Sequence, residues 1–206
     1  MSFLENTRRP TGLGGQMMVS MMNLCHGPLA RWGLSFLHIA PDAAVLDCGC
    51  GGGANMKKLL KKCPGGVVKG IDYSPVSAEK ARKVNAQAIR EGRCTVLQGS
   101  VADMIFASDW FDAVTAFETV YFWPGLPQCF REVCRVLKPG GTFLICCECS
   151  DPEKDSKWPD RIDGMTVYRD TQLKDALEQS GFRDVRVHKN GMGWLCVTAV
   201  KGGIGQ

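Results

Sequence analysis

The chain has 206 residues, of which 45% are hydrophobic and 22% charged, and its formal net charge is +4. That length suits one ordinary domain over residues 1–206 with its own core, and the composition excludes disordered and fibrous classes. The 25 lysines and arginines are spread along the chain, so no basic tract nominates a nucleic-acid partner. No apolar run reaches membrane-spanning length, and polar residues 1–16 lack the apolar core of a signal peptide, so the expected location is the cytoplasm.

The first 40 residues predict two short helices. Gly12, Gly14 and Gly15 precede a segment carrying Met17, Met18, Met21 and Met22, and Pro28 suits the first turn of the second helix. These helices form a cap or lid over a site, or the methionines merely pack a core. From Ala44 onward, short apolar runs alternate with segments of helical period, the pattern of a parallel sheet with crossover helices. Strands are expected at 44–48, 66–71, 94–98, 111–117 and 142–147, each apolar enough for burial on both sides. Between them, Met56, Leu59 and Leu60 give one helix an apolar face, with Lys57, Lys58, Lys61 and Lys62 on its wet side. Ser74 and Pro75 start a helix running to about Arg90, and Phe130, Val133, Cys134 and Leu137 mark another that the turn Lys138–Gly141 ends. A polar stretch follows, then a helix near 171–180 stopped by Gly181. Val185 and Val187 alternate with Arg186 and His188, a turn spans Asn190–Gly193, and 194–200 returns directly, so the sheet ends in an antiparallel hairpin. The predicted class is α/β: a Rossmann-like, seven-stranded, mostly parallel sheet with an antiparallel last strand and helices on both faces.

The chemistry is concentrated at Val45–Gly53, where a buried strand enters the glycine-rich turn Gly49, Cys50, Gly51, Gly52, Gly53. Glycines there let a nucleotide-like ligand lie against bare backbone, and Asp72 at the end of the second strand can accept both hydrogen bonds of a ribose diol. The glycine pattern alone also fits a dinucleotide, which would make the chain an NAD-dependent oxidoreductase. Asp47, two residues before the first glycine, points away from that choice, because a carboxylate favours an ammonium or sulfonium and opposes a pyrophosphate. The eleven cysteines lack C-x-x-C spacing, so neither a structural metal site nor disulfides are expected, and most read as small hydrophobes.

With these residues in view, the chain resembles the class I S-adenosylmethionine-dependent methyltransferases. The likeness is to the small-molecule branch related to ubiquinone and menaquinone C-methyltransferases, methyltransferase type 11. It spans Ala44 to about Cys147 and rests on Val45–Gly53, Gly70–Pro75, Gly99–Phe106, Phe111–Phe117 and Leu137–Gly141 in the family's order. It implies that Asp47 and the backbone at Gly49 and Gly51 hold the methionine part of S-adenosylmethionine, that Cys50 and Gly53 of the same turn belong to the cofactor site, and that Asp72 binds the ribose. Tyr73 would pack on the adenine. Ser100 and Val101 stand where the family usually has Asp-Ala, so either Ser100 replaces that carboxylate or Asp103 reaches in. Phe117 and Glu118 would flank the methionine moiety and open onto a small-molecule acceptor, with S-adenosylhomocysteine as the product.

A sulfonium methyl is already activated, so holding the acceptor in line can supply much of the acceleration. If a base is needed, the candidates are Glu118, Tyr121 and His26, although His26 also suits a structural hydrogen bond. The fourth strand does not continue into the Asn-Pro-Pro-Tyr or Pro-Cys motifs of DNA methyltransferases. The pocket would be roofed by the N-terminal helices and loop 151–163, with Trp32, Trp123 and Trp158 as aromatic walls. Two alternatives stand beside methyl transfer to a small molecule: a non-enzymatic S-adenosylmethionine-binding regulator, and a metalloid methyltransferase using cysteine thiolates.

Overall fold

A computed structural model describes residue 8 and residues 10–203, without the side chains of residues 13, 16 and 22–24, so the Met22 side chain and residues 1–7 lie outside it. In chain order the elements are α1 (Gly12–Cys25), α2 (Gly27–Leu34), β1 (Ala44–Cys48), α3 (Ala54–Lys62), β2 (Val67–Asp72), α4 (Pro75–Val84) and α5 (Ala86–Arg90). They continue with β3 (Cys94–Gln98), β4 (Phe111–Phe117), α6 (Leu126–Val136), β5 (Leu137–Cys147), α7 (Asp170–Gln179), β6 (Phe182–Lys189) and β7 (Leu195–Lys201). One seven-stranded sheet has the order β3-β2-β1-β4-β5-β7-β6. All pairs from β3 to β5 are parallel, whereas β7 runs antiparallel to both β5 and β6, as the hairpin pattern predicted.

The alternation of side chains along a strand divides the core between the two faces of the sheet. Leu46, Val114 and Ile145 pack with Phe130 and Val133 of α6 and Leu173 of α7. Val45, Ala113 and Leu144 face Leu29 of α2, Met56 and Leu59 of α3 and Ala81 of α4. Each such fully buried side chain stabilises by about 1.5–3 kcal/mol relative to exposure. The order of connection reverses between β1 and β4, so a crevice opens outside their C-terminal ends, where open α/β sheets bind ligands.

Three boundaries differ from expectation. The helix after Ser74 breaks at Asn85 (φ −109°, ψ 19°), because that side chain turns inward and donates to the carbonyls of Gly53 and Ala81 at 3.0 and 2.9 Å. This ties α4 to the glycine turn. Strand β5 begins at Leu137, which pairs with Phe111 ahead of the turn, and the register is regained only at Ala113 with Thr142. Strand β6 is a shallow edge: Val187 is exposed and Asp184 adopts φ +52° where the register shifts, so alternation there did not mean half-burial. The Ser74 cap and first-turn Pro75 are as expected, with the Ser77 N–H donating to Ser74 Oγ at 3.3 Å.

Candidate active site

The crevice is a cavity of about 600 Å³, within the range of ligand sites. Its floor is the turn after β1, in which Gly49, Gly51 and Gly53 all take positive φ. The N–H groups of Gly49 and Cys50 both donate to the Ile71 carbonyl, at 2.8 and 3.1 Å, folding the turn over the end of β2. Asp72 closes the arrangement, accepting from Gly51 N at 2.8 Å through Oδ2 and from Ser74 N at 2.9 Å through Oδ1. Both oxygens keep a lone pair for a diol, and burial raises the carboxyl above its ordinary range against these two bonds.

Of the residues singled out from the sequence, Gly49, Cys50, Gly51, Asp72, Tyr73, Ser100, Val101, Phe117 and Glu118 line this cavity. Asp47 and Gly53 do not. Asp47 is 2% exposed, where it accepts from the Thr115 hydroxyl at 2.7 Å. Burial pushes it up to about 7, opposed by that bond and by the charge of Lys58. Its carboxyl therefore lies behind the cavity wall. Gly53 is needed for packing: a Cβ there would meet Ala81 Cα at 2.8 Å and the Asn85 amide at 2.5 Å. Ser100 lines the cavity, while Asp103 is exposed and not among its walls.

Beyond the floor the walls become apolar. Met18 and Met21 of α1, Phe122 and Trp123, Trp158 and Ile162 of the 151–163 loop, and Met165 are among its lining residues. Trp32 is not one of these walls; it packs edge-on against Phe36 and beside Trp194 instead. Tyr121 is buried, its hydroxyl accepting from Cys149 N at 2.9 Å and placed to donate to Glu118 Oε1 or the Cys149 carbonyl, each at 3.2 Å. Burial drives its ionisation well above the usual phenol range, and its hydroxyl is hydrogen-bonded at Glu118. Glu118 sits at φ +57°, an uncommon backbone state for a side-chain-bearing residue, and accepts from Glu148 N at 2.5 Å. Burial pushes it up to about 8, against the bonds from Glu148 N and Tyr121. His26 also lines the cavity, its donor atoms grouped with those of Glu118 and Glu148 within 4.8 Å. Burial lowers its pKa, partly offset by the Glu148 charge.

Several wall residues carried no sequence signal. Thr119 follows Glu118, and its hydroxyl fills the space beside Gly49 and accepts from Trp123 Nε1 at 3.2 Å. Glu148 stands just past β5, a position fixed only once β4 and β5 are known to be neighbours. Burial holds the Cys50 thiol well above its usual range and Cys149 at about 12, so both cavity cysteines are protonated thiols at neutral pH.

Residues 46–145 match the family described as "Methyltransferase domain". The chain is 34% identical over 131 residues to botryococcene C-methyltransferase of Botryococcus braunii, covering 64% of this chain and 34% of that protein. It is 32% identical over 130 residues to demethylmenaquinone methyltransferase of Symbiobacterium thermophilum, covering 61% of this chain and 51% of that one. The chain thus spans about a third to a half of the length of these relatives. In three dimensions it is similar to a chain of the solved complex between the Haloferax volcanii Trm112 methyltransferase activator and a methyltransferase, at TM-score 0.85 and 20% identity. The match covers 93% of this chain and 96% of that one. No helix among the described residues is long and apolar enough to cross a membrane. The glycine turn, the buried Asp72 at the end of β2, the antiparallel β7 and the match over residues 46–145 agree with a class I S-adenosylmethionine-dependent methyltransferase domain.

Proposed function

We propose that the chain transfers the methyl group of S-adenosylmethionine to a small, largely apolar acceptor, as a single domain in which α1, α2 and the 151–163 loop cap the site. The observation that supports this best is the mixed lining of one cavity. Gly49, Gly51, Asp72, Tyr73 and Ser100 offer backbone and polar groups suited to the cofactor, and Met18, Phe122, Trp123, Trp158 and Ile162 add apolar surface suited to the acceptor. The methyl carbon would lie beside Phe117 and Glu118. Enclosure excludes water, which strengthens the attraction between the buried carboxylates and the sulfonium. The two relatives described above are, by name, a botryococcene C-methyltransferase and a demethylmenaquinone methyltransferase, in keeping with a small-molecule acceptor.

Asp47 gives the reading a pH signature. Its carboxyl titrates near 7 in the empty protein and must be ionised to attract a cation. Affinity for S-adenosylmethionine therefore rises by about tenfold between pH 5.5 and 7.5, since a group with pKa 7 goes from mostly protonated to mostly ionised. The sign for folding is opposite. A carboxyl raised in the folded state favours folding at pH below its unfolded value, and that contribution is lost as pH rises through about 7, so the unliganded protein is less stable at pH 7.5 than at 5.5. Calorimetric titrations and melting curves at both pH values check the two slopes. Cofactor affinity that is flat or falls with pH would remove Asp47 from cofactor recognition.

A further inference from the structure

His26, Glu118 and Glu148 are far apart in the chain and reach the cavity from three elements: the residue preceding α2, the end of β4 and the end of β5. One donor atom from each lies within 4.8 Å of the other two. Ligands on opposite sides of an ion bonded at about 2.1 Å are about 4.2 Å apart, so small side-chain rotations bring all three onto one centre. The spacing is that of ligands awaiting a cation.

The surroundings favour the same conclusion. Glu118 Oε1 is fixed by Glu148 N and the Tyr121 hydroxyl, the kind of outer support that orients a metal-binding carboxylate. Its other oxygen takes no hydrogen bond among the described residues, and the residue is half-buried in the cavity wall. Nor does any lysine or arginine of the described residues form an ion pair with Glu118 or Glu148. Two carboxyl groups face one imidazole, a donor set that a divalent ion can take by displacing the protons it holds.

We propose that His26, Glu118 and Glu148 form a divalent-metal site on the acceptor side of the cavity, taking a first-row cation such as Mn²⁺ or Zn²⁺. One imidazole nitrogen with two carboxylates is the donor mixture those ions accept, while an all-oxygen set would have favoured Mg²⁺ or Ca²⁺. Three protein ligands on one side leave coordination positions open to the chamber, which suit an acceptor bearing oxygen atoms rather than a plain hydrocarbon. The existence of the site stands on geometry alone, whereas its use in fixing an acceptor rests on the methyltransferase reading above.

The experiment uses the full chain, stripped with a chelator and titrated with Mn²⁺ by calorimetry and by the loss of the free-ion paramagnetic resonance signal. The expected result is one tight Mn²⁺ per chain, displaced by Zn²⁺, with affinity reduced by about tenfold or more in His26→Ala and in the conservative Glu148→Gln. Circular dichroism reports whether each variant folds. Absence of Mn²⁺ and Zn²⁺ binding up to millimolar concentration, or binding unchanged in folded Glu148→Gln, overturns the proposal. A parallel titration with S-adenosylmethionine separates the two readings: cofactor binding without metal binding leaves the methyltransferase intact and removes only the metal site.

Discussion

Replacing Asp72 by alanine should weaken S-adenosylmethionine binding by about a hundredfold or more while the protein still folds. Bonds to a charged group contribute about 1.5–3 kcal/mol each, and a ribose diol makes two of them with this carboxylate. The substitution also orphans the N–H groups of Gly51 and Ser74, which Asp72 accepts at 2.8 and 2.9 Å, so the turn that receives the methionine moiety loses its anchor. The effect on folding is smaller because burial already raises this carboxyl, meaning that its ionised form is held at a cost when no ligand is present. Asp72→Asn, which keeps one acceptor, should lose about tenfold. Calorimetry and a melting curve for each variant give both quantities, and an alanine variant within about threefold of the parent would place the ribose elsewhere.

Gly49→Ala is expected to damage the fold itself. Gly49 has φ +68°, which costs a residue with a side chain about 1–3 kcal/mol. An added Cβ would also lie 2.0 Å from Thr119 Oγ1 and 2.7 Å from Thr119 Cβ, and Thr119 cannot swing away freely because its hydroxyl is bonded to the Trp123 ring nitrogen. Overpacking of that kind adds about 1–3 kcal/mol, so a total of about 3 kcal/mol and a melting point roughly 10 °C lower are expected. Gly51→Ala is the control. It shares a positive φ of +50° but has nothing within 4 Å of an added Cβ, so it should lose less stability while still obstructing the cofactor. Equal melting points for the two variants would show that the contact with Thr119 does not matter.

These two positions also mark how far the amino-acid sequence carries the account. β1 and β4 are legible to the residue because strands buried on both faces are nearly continuous apolar runs, whereas the edge strand β3 (Cys94–Gln98) shows the alternation of a half-buried strand. Gly49, Asp72 and Ser100 were legible because each serves local geometry: a turn, a strand end, a loop start. Gly53 was assigned to the cofactor yet serves contact with α4, since a glycine needed for close packing looks the same in sequence as one needed for a ligand. The break at Asn85 was invisible for a related reason, as its cause is the carbonyl of Gly53, distant in the chain. Trp32 and Trp158 were given one role although only Trp158 reaches the cavity. The grouping of His26 with Glu118 and Glu148 arises entirely from sheet order and from the placement of α2, and no spacing rule could reveal it.

The measurement that bears most directly on the central claim is incorporation of labelled methyl from S-adenosylmethionine into a metabolite extract, with products identified by mass spectrometry. The parent protein should yield a labelled small molecule and S-adenosylhomocysteine in equal amounts, and Asp72→Ala should yield neither. Tight binding of NAD in place of S-adenosylmethionine, with no label transferred to any acceptor, would contradict the account.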